Sequence, residues 1–524
     1  MRRSDNERRY GWFLLGPLVL VVLGGCQDRS TSVANKPPAF PGISVKVGAI
    51  DDMAILAGVD QQRGEWEASR KGDIQLRQDP ITTASVGDID VVLFPSQRVG
   101  ELVNAGVLAT IPNSAVLPPK PADDESSDHD RRDSDSKSAA SEDTFQYMDI
   151  APAFREHVSR YGPERVSLPC GGSALVLVYR RDAFENPSNR EAARQAGLSL
   201  DKPPATWPQL DAIAKFFHGR DWNGDGSPDA GITLALGVDA EQVGDAIFLA
   251  RAASLGLHRD HYSFLFDADD MSPRIASPPF VEALRDVVAL RAYGPAGGER
   301  FGAADARASF RTGKVAILID RAERAATWSH GKPIGVAPLP GSDRVYEPIR
   351  KEWMPSSPLN APSYLPYGGG WLVGINGRLA GTQLEAAVDF ARYLANPENS
   401  NRLRAERTFA MLPVRTEQMG HGLPDPTSAP DVDSRLWSDA VSRTLLAERV
   451  VPGLRIPGAD GYLSDLSKGR MAAFGGEAPS RALETVAKAW TERTKAAGAK
   501  RQLWHYRRSL NTLTTFSLPP EPGK

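Results

Sequence analysis

Cysteine is nearly missing from this chain: its 524 residues include two, Cys26 and Cys170. That excludes a disulfide scaffold and any zinc site built on cysteine clusters. An excess of basic charge is missing too. Lys and Arg total 62 against 65 Asp and Glu, a formal net charge of −3, so no global positive field draws the chain to nucleic acid or an anionic membrane. Catalytic signatures are also lacking: no Gly-x-Ser-x-Gly elbow, no His-Glu-x-x-His and no phosphate-cradling Gly-x-x-x-x-Gly-Lys occurs. Gly171-Gly172-Ser173 lacks the elbow spacing, and among the eight histidines only His258 and His261 lie close together, as a surface pair. These absences argue against enzyme chemistry, and no cofactor is required by any motif present.

What is present is a loop-rich globular composition, 41% hydrophobic with 47 glycines and 41 prolines. The length sets a prior of three domains or fewer. Arg2, Arg3, Arg8 and Arg9 precede an apolar stretch from Gly11 to Leu23, short of the ~20 residues that span a bilayer but suited to a signal peptide. Leu23-Gly24-Gly25-Cys26 resembles a bacterial lipobox. The resemblance implies removal of residues 1–25 and diacylation of Cys26, placing the protein on a lipid anchor at the periplasmic face of a bacterial membrane. The polar, proline-bearing stretch 26–42 then reads as a tether, and Cys170 is left as a lone thiol, read as a packed residue in preference to a nucleophile.

From Ile43 onward, strands and helices alternate. Ile43–Ile50 has period two, Ile74–Arg77 is a second strand, and Ile89–Phe94 is a near-continuous apolar run of the kind a parallel strand covered on both faces shows. Ala174–Tyr179 and Lys314–Ile319 are further buried strands, and helices are expected over 99–105, 207–217 capped by Thr206, 240–255, 279–293, 382–394 and 481–496 capped by Ser480. The pattern predicts an α/β fold. Between Ala122 and Asp143 a serine-rich acidic stretch without aromatics interrupts it; such a segment buries too little apolar area to offset its ordering entropy and is expected to be a disordered insertion.

In chain order, the motifs resemble the extracellular solute-binding proteins that serve ABC-type sugar importers. The matching passages are Asp88–Phe94 followed by Ala105-Gly-Val-Leu108; Leu168-Pro169 with Val178–Phe184; Pro204-Ala-Thr-Trp207; Phe310–Ala316; Val336–Pro340; Glu385–Leu394; and Gly475-Gly476 through Ala482-Leu483 to Trp490. No one passage is specific; their colinearity is. The resemblance implies a two-lobed periplasmic-binding-protein-like fold of type II, an interlobe ligand cleft, hinge closure and no catalytic centre. It divides the chain into lobe 1 (43–147, with the insertion at about 119–143), lobe 2 (148–300), a return to lobe 1 (301–345), a return to lobe 2 with C-terminal helices (346–500), and a poorly packed tail (501–524). The implied partners are a small solute, by family default a saccharide, and the importer's permease subunits. The rival reading keeps the fold but makes it a surface-anchored sensor or protein-interaction module.

Ligands of open α/β sheets bind outside the carboxyl ends of strands. That rule selects Asp51, Asp52, Ser96, Gln97, Asp320 and Arg321, with Tyr367, Trp371 and Arg455 from the other lobe. Aromatic faces and charged planar groups are what sugar recognition needs, although each of these residues also has a structural reading. The sharpest local motif is Asp221-Trp-Asn223-Gly-Asp225-Gly-Ser227-Pro-Asp229. Its oxygens at positions 1, 3, 5, 7 and 9 suit a calcium loop, but position 12 is Ile232 where an EF-hand has Glu. A structural calcium and a metal-free Asn-Gly-Asp-Gly turn are both open.

Overall fold

The computed structural model describes residues 38–117, 145–406, 409–512 and 514–521. The expected signal peptide, Cys26, most of the expected tether and the acidic stretch expected to be an insertion lie outside the described residues. Eleven strands carry the architecture: β1 Ser44–Ala49, β2 Asp73–Leu76, β3 Val91–Pro95, β4 Leu168–Gly172, β5 Leu175–Arg180, β6 Ala230–Thr233, β7 Val315–Arg321, β8 Ile334–Pro338, β9 Ser342–Glu347, β10 Glu352–Asn360 and β11 Gly370–Ile375. The apolar runs behave as their composition requires. Every residue of β3, β5 and β7 is buried, because each is covered on both faces.

Two sheets result. The first has the order β2-β1-β3-β11-β4, with β1 parallel to β2 and β3, and β11 antiparallel to β3 and β4. The second has the order β8-β5-β7-β6, antiparallel except where β6 runs parallel to β7. Each sheet is the centre of one lobe, and residues 39–524 form one compact unit. In the first lobe, Trp66 of the helix Ile55–Arg70 stacks on Phe40, meets Phe390 edge-on and donates to Asp389 at 2.7 Å. In the second, Arg251 of the helix Val243–Gly256 pairs with Asp211 at 2.6 Å and Asp286 at 2.8 Å, tying three helices together.

Sheet pairing divides the chain differently from the expected boundaries. β7 and β8 fall inside 301–345, expected to return to lobe 1, yet both pair with β5 in the second sheet. β11 falls inside 346–500, expected in lobe 2, yet pairs with β3 and β4 in the first. Motif order does not encode pairing partners, since register is set by long-range burial. The tail was expected to pack poorly from 501, but it continues the helix Ala499–Ser509, in which Trp504, His505 and Tyr506 are buried. One local expectation also shifts. Ser480 lies inside the helix Pro479–Ala496, whose cap is Ala478 without a side-chain bond. Asn396 ends the helix Gly381–Ala395 and caps the next, Pro397–Arg404, accepting from Asn399 N at 2.7 Å. The Thr206 cap is present as a full capping box with Gln209.

The chain crosses between the lobes at Ser173-Ala174, where β4 of one sheet leads directly into β5 of the other, and again before β11. Backbones approach very closely there. Gly370 has φ +131, and a Cβ on it would lie 2.2 Å from the Gly171 carbonyl oxygen, so only glycine fits. Residues 342–360 form the antiparallel hairpin β9–β10 against the helix Val243–Gly256.

Candidate interlobe site

The strand ends of the two sheets meet across a narrow, polar seam. Gln97 and Arg98 follow β3 directly, and both reach Asp460 in the first turn of the helix Ala459–Phe474: Gln97 Nε2 donates to Oδ1 at 2.9 Å and Arg98 Nη1 to Oδ2 at 2.5 Å. Arg98 also pairs with Asp51 at 2.8 Å. Burial opposes the charge on Arg98, but hydrogen bonds to Asp51 and Asp460 outweigh it and raise its pKa. The helix Ala459–Phe474 packs on Val243–Gly256 and Pro278–Leu290 of the second lobe, so Arg98–Asp460 joins the lobes.

A second bridge lies at Tyr367, a left-handed residue with φ 53 before β11. Its hydroxyl donates to the Ala240 carbonyl at 3.2 Å, and the Arg321 guanidinium lies 4.9 Å from its ring centroid. Burial pushes the phenol up to about 12, against the opposing charge of Arg321. Arg321 pairs in turn with Glu241, which also receives Arg307. Burial disfavours the Glu241 carboxylate, yet the hydrogen bonds from Arg307 and the charges of Arg321, Arg307 and Arg324 hold it down at about 2. Between these bridges, Gln97, Glu241, Asp245, Tyr364 and Tyr367 enclose a cavity of about 20 Å³, room for about one water molecule. A separate cavity of about 280 Å³ is lined by Glu323, two residues beyond Arg321, and by Arg404. A larger one of about 690 Å³ runs along β8 beside Pro203, Pro340 and Pro358, and none of the residues selected from the sequence lines it.

Of the nine expected ligand residues, the fold brings Gln97, Arg321 and Tyr367 to the seam, with Asp51 at its edge through Arg98. The others have structural partners. Asp52 is exposed and accepts from Ala54 N at 2.9 Å. Ser96 is fully buried, with its hydroxyl 3.4 Å from the Val158 carbonyl. Asp320 is buried between Arg307 Nε at 2.7 Å and Trp328 Nε1 at 2.8 Å. Trp371 packs edge-on against Phe409 with centroids 4.8 Å apart. Arg455 is wholly buried, donating to the carbonyls of Val158 at 2.9 Å and Ser509 at 2.6 Å, and burial pushes it down to about 10. Cys170 donates to the Trp371 carbonyl at 3.3 Å, and burial pushes its thiol up to about 12.

Arg98, Glu241, Glu323 and Asp460 were missed. Glu241 follows β6, a short strand that its sequence does not announce; Arg98 stands beside a selected residue, and Asp460 belongs to a helix with no strand-end signal. The Asp221–Asp229 loop closes on its own chain. Asp221 accepts from the backbone of Gly224, Asp225 and Gly226, Asp229 accepts from Trp222 and Asn223, and Lys314 Nζ stands 3.1 Å from Asp225 and 2.7 Å from Ser227 Oγ. Among the described residues no group of three or more His, Cys, Asp and Glu side chains is arranged to hold a metal ion.

The family model for the bacterial extracellular solute-binding protein matches residues 75–419. The chain belongs to this family. Membership supports the reading of a binding protein over an enzyme, and the two-lobed α/β fold is shared with solved structures. A solute-binding protein of Agrobacterium radiobacter K84 in complex with ribitol matches with a TM-score of 0.58 and 18% identity, covering 87% of this chain and 99% of that one. One from Agrobacterium vitis S4 with bound D-mannitol matches at 0.56 and 18%, again covering 87% and 99%. A stretch of 72 residues is 32% identical to the sn-glycerol-3-phosphate-binding periplasmic protein UgpB of Rhizobium meliloti (strain 1021), covering 14% of this chain and 15% of that protein's length.

Proposed function

We propose that this solute-binding family member captures a small polyhydroxylated solute, a sugar or polyol, between its lobes and delivers it to an ABC-type importer. The observation that carries the reading is the seam itself, where Gln97, Arg98 and Tyr367 meet Asp460, Glu241 and Arg321 from the opposite side. Planar charged groups and an aromatic face at a hinge can pair with hydroxyls and with an apolar ring surface. Solute bridging both lobes would stabilise the closed arrangement by its differential affinity for it. The ribitol- and mannitol-bound neighbours supply the ligand class, and the lipobox-like Leu23–Cys26 supplies an anchor at the periplasmic face of a bacterial membrane. Permease subunits are the membrane partners in this reading.

The test is a thermal-shift series on the full chain with ribitol, D-mannitol, maltose and glycerol 3-phosphate. Solute capture predicts a rise in Tm that grows with ligand concentration as mass action requires. The sensor or interaction-module reading draws on the two bridges that already join the lobes through the chain's own groups; it predicts no shift with any solute and retention of a protein partner.

A further inference from the structure

β8 is an outer strand of the second sheet, and its free edge is paired only at the two ends. Arg181 N donates to the Pro333 carbonyl at 3.0 Å. In this antiparallel register Pro333, Gly335 and Ala337 therefore bond to β5, while Ile334, Val336 and Pro338 turn their backbone groups to the outer edge. Ile334 is met there by the same chain: its N–H donates to the Asp431 carbonyl at 2.8 Å and its carbonyl accepts from Asp433 N at 3.0 Å. Gly341 is met likewise, donating to the Ala205 carbonyl at 2.9 Å and accepting from Trp207 N at 3.2 Å. Between these points the Val336 N–H and the carbonyls of Val336 and Pro338 have no hydrogen-bond partner among the described residues.

The cavity of about 690 Å³ lies on this open stretch. Every residue from Val336 to Gly341 lines it. A cavity over one face of a strand meets alternate residues, so this one runs along the backbone edge. Leu175 and Tyr179 of β5 extend it beneath the sheet, and Leu436 and Thr444 of the helix Ser434–Leu445 stand on the helical side. Its charged residues, Lys202, Asp439 and Arg443, are all exposed, which leaves the interior uncharged. Val336 itself is buried, and buried backbone groups in folded proteins are nearly always bonded. A donor and an acceptor on one residue, with a second acceptor two residues on, form the pattern that an added strand completes.

We propose that this cavity binds a short extended peptide as an added strand on β8, its backbone paired with Val336 and Pro338 and its alternate apolar side chains in the cavity. The open stretch 336–340 spans about 17 Å, the length of about five extended residues. Pairing at Ile334 and Gly341 closes it at both ends, and Pro338 and Pro340 offer no N–H, so a longer strand finds no further donors. The site is separate from the interlobe seam, since Tyr364 is the one residue that lines both cavities, and the proposal does not depend on solute capture there.

The experiment titrates the full chain with the probe acetyl-Thr-Val-Thr-Val-amide and with its analogue N-methylated at every residue, which keeps the side chains and removes the donors. Isothermal titration reads affinity, and hydrogen–deuterium exchange reads the backbone of 334–341. The probe is expected to bind and to slow exchange in 334–341, and the analogue to bind more weakly by about tenfold or more. Val336→Pro removes the one outward donor and leaves the ladder to β5 intact; it is expected to weaken the probe by about tenfold. Ala447→Trp fills the cavity from its helical side and is expected to abolish binding, which keeps the test decisive if Val336→Pro does not fold. Equal affinity for the two probes would show that the cavity takes apolar groups without a strand, and would overturn the proposal. Binding that neither variant weakens would place the peptide elsewhere, with the same consequence. No binding of the probe would also overturn it; exchange in 334–341 that slows with protein concentration alone would then assign the edge to a second copy of the chain.

Discussion

Lys314 shows how a single side chain can change the meaning of a motif. The Asp221–Asp229 spacing looks like a cation loop, but an ammonium already stands at Asp225, where the Ser227 hydroxyl and Lys314 together hold the carboxyl down at about 2. The remaining carboxylate oxygens accept backbone N–H groups, which is what a tight Asx-type turn provides without metal. Calcium and chelator are therefore each expected to move the wild-type Tm by less than about 1 °C. Lys314→Met leaves Asp225 without its counter-charge and is expected to make Tm rise with millimolar calcium, measured by differential scanning fluorimetry. A chelator-induced fall in the wild type would show that a cation, not the lysine, completes this loop. The residues themselves were legible here; which positive charge they meet was not, because Lys314 lies 85 or more positions away in sequence from Asp225 and Ser227.

At the scale of elements, the C-terminal helix Ala499–Ser509 is held by a buried histidine. His505 is wholly buried, with Nδ1 3.0 Å from the Tyr161 hydroxyl and Nε2 3.0 Å from Asn104 Oδ1. Burial and the nearby Arg501 charge push it down to about 3. The unfolded chain therefore binds a proton on this group between about pH 6.5 and 3 that the folded chain does not, so its linkage costs nothing above pH 6.5 and grows as the pH falls. At pH 5 the cost is about 2 kcal/mol. Chemical denaturation at pH 7.5, 6 and 5 is expected to show the gap between wild type and His505→Gln shrinking or reversing as the pH drops. A gap independent of pH would mean that His505 titrates alike in the folded and unfolded chain. Sequence reading took this region for a loose tail, since a mildly basic stretch with prolines carries no sign that its aromatic face has a partner 344 residues upstream.

At the scale of the molecule, the two lobes are joined through glycine-lined crossings and by the Arg98–Asp460 and Arg321–Tyr367 contacts. Arg98 touches Asp51 on its own lobe and Asp460 on the other, so Arg98→Ala removes an interlobe tie and leaves Asp460 without its cation. Small-angle scattering of the ligand-free variant is expected to give a larger radius of gyration than the wild type, as hinge opening requires. The same measurement with saturating solute should restore the compact value if solute supplies the lost bridge. An unchanged radius in both conditions would mean that the crossings alone set the interlobe angle.

Local chemistry was enough to find most of the strands and helices, because apolar runs, period-two alternation and a Thr-x-x-Gln box are properties of a few adjacent residues. Colinear motifs were enough for the family and its two-lobed class. Only the tertiary structure decided that β7 and β8 join β5 while β11 crosses back to β3, since strand pairing answers to burial on both faces and not to order along the chain. It also separated Gln97, Arg321 and Tyr367, which meet at the seam, from Asp320 and Arg455, which carry the same residue types into buried structural networks. A charge is read from sequence; whether it has a partner is a matter of distance, decided only once the chain has folded.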